Sequence, residues 1–384
     1  MNKHSNQRSD VSASRREFLK VGALAGAGLA GGAPLGRANC KAADNPVRAS
    51  GKLPIKIAGY EYDRVQGLVD GRVEVEGCQS SFVAENIYGL NSNAMGGKKT
   101  WEVQEIGLHP FMLAYANDQF RDYTLIPVFP LRTFRHKSIF IRTDRGIQKP
   151  EDLRGKTIAT AGYSQSSLTW IRGFLQHEYG VKPDEMQWVV SARSSDKGKV
   201  SGNESRLPEG VPIRRGPEGK DEGQLLAAGE VDAVFSAIEP KVYQAGHPKV
   251  ARLFADYRNT ERAYFAKTGI FPIMHAVAIR ADVARRHPWL PKAVFDAYSQ
   301  AKRLMYQNLS KSGWAMISLP WIEQELAETR KLMGDNYWPY GVQPNRKALE
   351  ALFQYSYEQG LAKRKLKIEE LFHPSTLALE EETA

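Results

Sequence analysis

Ile147-Gln-Lys-Pro-Glu-Asp-Leu-Arg-Gly-Lys-Thr-Ile-Ala-Thr-Ala-Gly162, continued by Tyr163-Ser-Gln-Ser-Ser-Leu-Thr-Trp170, is the stretch on which the fold turns. A short helical segment ends at Gly155, and Lys156 to Ala161 reads as a strand. Gly162 to Ser167 then opens a helix that runs to about Tyr179, with Leu168, Ile171 and Leu175 on one face. A serine-rich helix start after a strand offers unpaired backbone N–H groups and hydroxyls to an anion. Ordinary capping by Ser164 or Ser166 accounts for the same residues without a ligand. The two uses are compatible, so Ser164, Ser166 and Ser167 stand as candidate ligand-binding residues.

Just upstream lies Pro127-Val-Phe-Pro-Leu-Arg-Thr-Phe-Arg-His-Lys-Ser-Ile-Phe-Ile-Arg-Thr-Asp144. Pro127 and Pro130 break regular pairing because proline lacks an N–H donor. Arg132, Arg135 and His136 place three donors within five residues. Lys137 to Thr143 then alternates polar and apolar residues, the period of a strand. A cationic cluster feeding into a strand suits an anionic ligand at a sheet edge. A solvated basic turn before a strand is the plainer reading of the same residues.

Further out, Ile55–Tyr60, Ser81–Val83 and Trp101–Leu108 read as strands, and His109-Pro110 opens a helix through Ala116. This β-α-β-α rhythm predicts a parallel-type sheet covered by helices. Ser191 to Gly223 is a long polar insertion, read as a mobile loop with little structure of its own and a candidate lid. Gln224–Ser236 resumes helix, turn and strand, and Phe271–Arg280 is a strand with His275 near its start. Four helices are expected after it, at 281–287, 291–310, 321–333 and 345–359, as scaffold.

The chain has 384 residues, 42% apolar and 25% charged, which is the composition of a globular protein of one large or two ordinary domains. Residues 1–38 carry six Lys/Arg against Asp10 and Glu17, so the net charge of +10 leaves about +6 for the remainder, without a dense basic stripe. Nucleic acid is therefore not an expected partner, whereas a small anionic ligand suits the balance. Ser14-Arg-Arg-Glu-Phe-Leu-Lys20 precedes a short small-residue apolar run, Val21–Ala30. That layout resembles a twin-arginine export signal over residues 1–38, followed by a linker at 39–51, and implies a periplasmic or secreted protein. Nothing later approaches the ~20 apolar residues of a membrane-spanning helix. Gly26-Ala-Gly28-Leu-Ala-Gly31 matches a dinucleotide fingerprint only formally, since no strand precedes it. Cys40 and Cys78 leave a disulfide open. No cysteine or histidine spacing spells a zinc motif, so no cofactor is predicted. A metal held by His109, His136 or His275 with Glu105 has no spacing to support it.

Strand, helix, Lys149-Pro-Glu-Asp-Leu-Arg-Gly-Lys156 and a serine-rich helix start resemble the type II periplasmic-binding-protein fold. Five stretches resemble one enzyme branch of it, the 4,5-dihydroxyphthalate decarboxylase family: Phe129-Pro-Leu-Arg-Thr-Phe-Arg-His136, Trp170-Ile-Arg-Gly-Phe-Leu-Gln-His-Glu-Tyr-Gly180, Ala228-Gly-Glu-Val-Asp-Ala233, Gly269-Ile-Phe-Pro-Ile-Met-His275 and Asn336-Tyr-Trp-Pro-Tyr-Gly341. The resemblance runs from about Ile55 to Phe372. It implies two α/β lobes, 52–142 plus 272–384 and 143–271, with a ligand held in the cleft between them. Two departures accompany it: Glu105-Ile-Gly107 where Glu-x-Ser is expected, and the export signal.

Two functions follow from this. In the first, a dihydroxylated aromatic carboxylate loses CO2 as its ring carbon is protonated. His136 and His275 are the candidate acids, with Glu105 orienting a histidine or accepting a phenol proton. Arg132 or Arg135 would grip a second carboxylate, because clamping the departing one stabilises the ground state. In the second, the same residues bind an aromatic or other carboxylate as an exported receptor for an ABC-type permease, and no acid is needed.

Overall fold

The computed structural model describes residues 51–191, 193, 200, 204–314 and 317–381. The expected export signal, Cys40 and most of the linker lie outside the described residues. Within Gly51–Ala384 the chain forms two mixed sheets, and the two-lobed α/β architecture expected from the sequence is present.

The first sheet contains β1 (Leu53–Gly59), β2 (Cys78–Ala84), β3 (Val103–Gly107) and β4 (Tyr123–Ile126). The second contains β5 (Ile139–Arg142), β6 (Thr157–Ala161), β7 (Gln187–Ser191), β8 (Ile213–Arg215), β9 (Ala233–Phe235) and β10 (Val250–Arg252). The last strand, β11 (His275–Arg280), returns to the first sheet, whose order is β2-β1-β3-β11-β4; the second runs β10-β5-β9-β6-β7-β8. β1 lies parallel to β2 and β3, as the β-α-β rhythm predicts, with Ile55 and Ile57 turned inward. β11 is antiparallel to both β3 and β4, so the sheet is mixed rather than parallel. A strand arriving from the other lobe needs no crossover helix and can enter from the opposite end.

The lobe boundary corrects the sequence reading. Residues 139–142 pair antiparallel with β9 and β10 in the second sheet, so the first crossing is 127–138 rather than the region after Arg142. All four residues of β5 are buried, including Arg142, whose guanidinium is held by the carbonyls of Leu226 and Ala227 and by Asp144. The apparent alternation there did not mark a solvent face. The two crossings run side by side. Arg132 bridges antiparallel to Ile273, Thr133 N donates to Pro272 O, and Met274 N donates to Leu131 O. Within the described part of the polar insertion, the three-residue β8 adds in parallel to the edge of β7.

Helix Leu290–Leu309 covers the first lobe. Helix Arg346–Glu358, expected with that lobe, instead packs across helix Ser166–Tyr179 of the second. The close approach is possible because Gly173 faces Tyr355, where a Cβ would come within 2.0 Å of the ring. One continuous apolar core joins both sheets, from Ile106 and Phe111 to Ile158 and Trp170.

Candidate functional site

His275 begins β11 at the end of the second crossing, where it faces Gly107 of β3 in register, with Glu105 two residues further along the same strand. A serine was expected at 107. A Cβ at that position would stand 3.2 Å from both Asn91 Nδ2 and Pro110 Cγ, so the glycine relieves a tight spot beside the histidine. His275 Nδ1 and Glu105 Oε1 lie 2.5 Å apart. The carboxylate is only 2% exposed and gathers two more donors, the Tyr62 hydroxyl at 2.9 Å on Oε1 and the Tyr60 N–H at 3.1 Å on Oε2. With Nδ1–H donating to Glu105, the imidazole is held in one orientation and its Nε2 has no partner among the described residues.

Aromatic rings frame this pair. Tyr60 stacks on His275 with centroids 6.1 Å apart and on Tyr62 at 5.5 Å, and its hydroxyl accepts from Ile87 N–H at 2.8 Å. Burial, together with the neighbouring Glu105 charge, pushes the Tyr62 phenol well above its ordinary value, so it stays a donor. Arg64 lies 4.1 Å from the ring centroids of both Tyr62 and Trp338 and donates to Pro130 O, which fixes the Tyr60-Glu-Tyr62 turn against the first crossing.

A cavity of about 330 Å³ opens between the lobes beside Tyr60. Tyr60, Ile87 and Tyr88 form its first-lobe side, and Ala161, Ser236 and Glu204 its other side. Its described lining carries one carboxylate, Glu204, and no lysine or arginine.

The remaining predicted residues sit elsewhere. Arg132 is 5% exposed and its guanidinium is taken up by Asn345 Oδ1, Phe271 O and Pro339 O, which ties the crossings to the C-terminal segment. Arg135 stands behind the cavity wall and donates to the carbonyl of Ala237 at 2.7 Å. Neither arginine lines the cavity. His136 is 1% exposed, stacks on Phe174 at 4.2 Å and meets Phe254 and Tyr264, with no partner on either ring nitrogen. Burial pushes it down to about 4, so it is a neutral ring sealed from the cleft rather than an acid within it. Ser166 Oγ donates to Met274 O and accepts from His109 N–H, joining the lobes. Ser164 Oγ accepts from Arg206 N–H, and Ser167 is buried. The N-cap of the helix is Gln165, without a side-chain bond, so neither serine caps it. His109, named above as a metal candidate, bonds Ser164 O and Ser356 Oγ through its two nitrogens, and burial pushes it down to about 3. Cys78 is buried with a free thiol.

Of the predicted set, the structure therefore joins His275 and Glu105. Sequence reasoning missed Tyr60 and Tyr62, although both follow the carboxyl end of a strand, where open α/β sheets place ligands. Glu204, in a polar stretch, gave no signal.

A family model described as NMT1/THI5 like matches residues 122–203. The chain is 35% identical over 326 residues to a 4,5-dihydroxyphthalate decarboxylase from Comamonas testosteroni, which covers 85% of this chain and 98% of that protein. It is 34% identical over 205 residues to a protein of the same name from Pseudomonas putida, covering 53% of this chain and 78% of that one. Among solved structures, a periplasmic sulfonate-binding protein from Methylobacillus flagellatus superposes with a TM-score of 0.51 at 15% identity, over 85% of this chain and 94% of that one. That likeness concerns the fold alone.

Proposed function

The chain belongs to the 4,5-dihydroxyphthalate decarboxylase family, and from this membership we propose that it is a carboxy-lyase acting on a dihydroxylated aromatic carboxylate without an oxidant. The observation that carries the proposal is the His275–Glu105 pair, whose outer nitrogen has no partner among the described residues and whose ring stacks on Tyr60 of the cavity wall. In the reaction, protonated His275 gives its Nε2 proton to the ring carbon bearing the carboxylate. The C–C bond then breaks, its electron pair returns to the ring, and CO2 leaves. His275 regains a proton from water. A phenol para to the reacting carbon supplies electron density for the first step, and Glu105 steadies the imidazolium. A cavity wall without described cations suits the loss, since a cation on the departing carboxylate would stabilise the reactant more than the transition state.

Incubating the protein with 4,5-dihydroxyphthalate in D2O tests this. The expected products are CO2 and 3,4-dihydroxybenzoate carrying one deuterium at the vacated carbon. Binding without CO2 release would favour the other reading, an exported receptor handing an aromatic carboxylate to an ABC-type permease.

The N-terminal motif motivates that second reading, and export by the twin-arginine route to the periplasm is proposed with either function. Replacing Arg15 and Arg16 by lysine should strand precursor in the cytoplasm; unchanged export would remove the assignment.

A further inference from the structure

We propose that the Tyr60 hydroxyl holds the carboxylate that stays on the substrate, and so makes the cleft select ring acids bearing a carboxylate beside the departing one. The proposal rests on the decarboxylase reading and deepens it by naming the residue that selects the diacid. Arg132 and Arg135, the residues expected to grip a second carboxylate, lie outside the cavity lining, so that group needs another donor. A cavity of about 330 Å³ lies at the small end of ligand sites, roughly 300–1,000 Å³, and suits a single-ring ligand.

Tyr60 is half-buried in the cavity wall. Its hydroxyl oxygen accepts from Ile87 N–H at 2.8 Å, and its own proton has no acceptor among the described residues. Ile87 opens the ten-residue helix Ile87–Gly96, so that bond comes from the positive end of a helix and polarises the O–H towards donation. Burial raises the phenol, the Glu105, Glu204 and Glu85 charges add to this, and the Ile87 bond offsets only part of it. The group therefore keeps its proton at neutral pH and serves as a donor. Protonation of His275 offsets the Glu105 charge, and the helix start adds its positive end, so an anion can sit beside Tyr60. Asn86 Oδ1 takes the N–H of Gly89, while the N–H of Tyr88, also in the lining, has no partner among the described residues. An independent observation comes from the second lobe. The Thr160 hydroxyl, in the lining near the carboxyl end of β6, is buried and has no partner among the described residues. A buried hydroxyl left unpaired is costly, and an oxygen of a ligand in the cavity would satisfy it.

The substrate's own geometry connects this residue to the acid. In 4,5-dihydroxyphthalate the two carboxylates sit on neighbouring ring carbons. Tyr60 stacks on His275 with centroids 6.1 Å apart, so a ring carbon placed for the His275 proton brings the carboxylate of its neighbour within reach of Tyr60. Gripping the carboxylate that stays acts on reactant and transition state alike, and so tightens binding without opposing the loss of CO2. Hydrogen bonds to an ionised acceptor are about twice as strong as neutral ones, which suits a neutral phenol to the task.

Calorimetry with 3,4-dihydroxybenzoate, which keeps only the staying carboxylate, and with catechol, which has neither, provides the test without turnover. Wild type should bind 3,4-dihydroxybenzoate roughly tenfold or more tighter than catechol. Tyr60→Phe, which preserves the ring stacked on His275, should reduce that preference to within about threefold and leave catechol affinity unchanged. Thr160→Val removes a hydroxyl with no partner to lose, so it should weaken 3,4-dihydroxybenzoate about threefold with no loss of stability in urea. An undiminished preference in a folded Tyr60→Phe protein, or an equal loss for both ligands, overturns the proposal. If Tyr60→Phe fails to fold, an unaltered preference in Thr160→Val overturns it instead. The two readings fail separately. CO2 release by wild type together with an undiminished preference in Tyr60→Phe removes the role of Tyr60 alone, whereas a Tyr60-dependent preference without CO2 release removes the enzyme reading alone.

Discussion

His136 closes the first crossing between the lobes and His275 closes the second, yet their surroundings are opposite. His136 is boxed by Phe174, Phe254 and Tyr264 with no polar partner. His275 has a carboxylate on one nitrogen, no partner among the described residues on the other, and a ring stacked on Tyr60 of the cavity wall. The contrast shows what a proton-transfer group requires from a fold: a partner that fixes its orientation, and an exit. Burial without a partner makes a histidine a neutral aromatic filler instead.

Acid breaks this comparison most forcefully. His136 is pushed down to about 4 and His109 to about 3, whereas both titrate near 6.5 in the unfolded chain. Below 6.5 the unfolded state therefore binds more protons than the folded one. The stability these neutral rings contribute is whole above that pH and is lost as pH falls towards 4 for His136 and 3 for His109. Each unit costs about 1.4 kcal/mol per histidine, so urea unfolding should show a loss of roughly 4 kcal/mol between pH 7.5 and 5. His136→Phe should remove about half of that slope while sparing turnover. An unchanged slope would mean that His136 carries a proton in the folded protein.

Arg132 extends the contrast from histidine to arginine. Arg132→Met leaves the acceptors Asn345 Oδ1, Phe271 O and Pro339 O without their donor and should destabilise the protein by about 3 kcal/mol. Affinity of the remaining folded protein for 4,5-dihydroxyphthalate should hold within about threefold. A large loss of affinity at full stability would return Arg132 to the ligand.

The gentlest probe acts on the cleft side. Tyr62→Phe removes one of three donors to Glu105, worth about 1 kcal/mol, and should slow turnover about fivefold with affinity unchanged. An unaltered rate would show that His275 is held without help from Tyr62.

These outcomes also trace what a sequence exposes. The two lobes were legible because β1, β6 and the helix at Ser166–Tyr179 carry their own periodicity and are punctuated by Gly162 and Gly180. β5 was readable as a strand but not as a member of the second sheet, since a strand buried on both faces has no solvent side to reveal its neighbours. Glu105 and His275 could be named individually, and β11's antiparallel return, which joins them, depends on residues 170 positions apart. Arg132 and Arg135 misled because a charge in a sequence carries no sign of whether carbonyl oxygens already surround it. Glu204 stayed silent for the converse reason. Its position comes from backbone bonds at Tyr163 and Ser164, which leave no pattern in side-chain types.

The central claim is that His275 delivers the proton that replaces the carboxylate, and the most direct measurement compares His275→Gln with wild type on 4,5-dihydroxyphthalate, following CO2 release and equilibrium binding together. Glutamine keeps a donor and nearly the same volume but cannot act as an acid near neutral pH. Turnover should fall by roughly a hundredfold or more while the dissociation constant stays within about threefold. Turnover retained within about tenfold of wild type, in a folded variant that still binds the ligand, would contradict the account and place the acid elsewhere in the cleft.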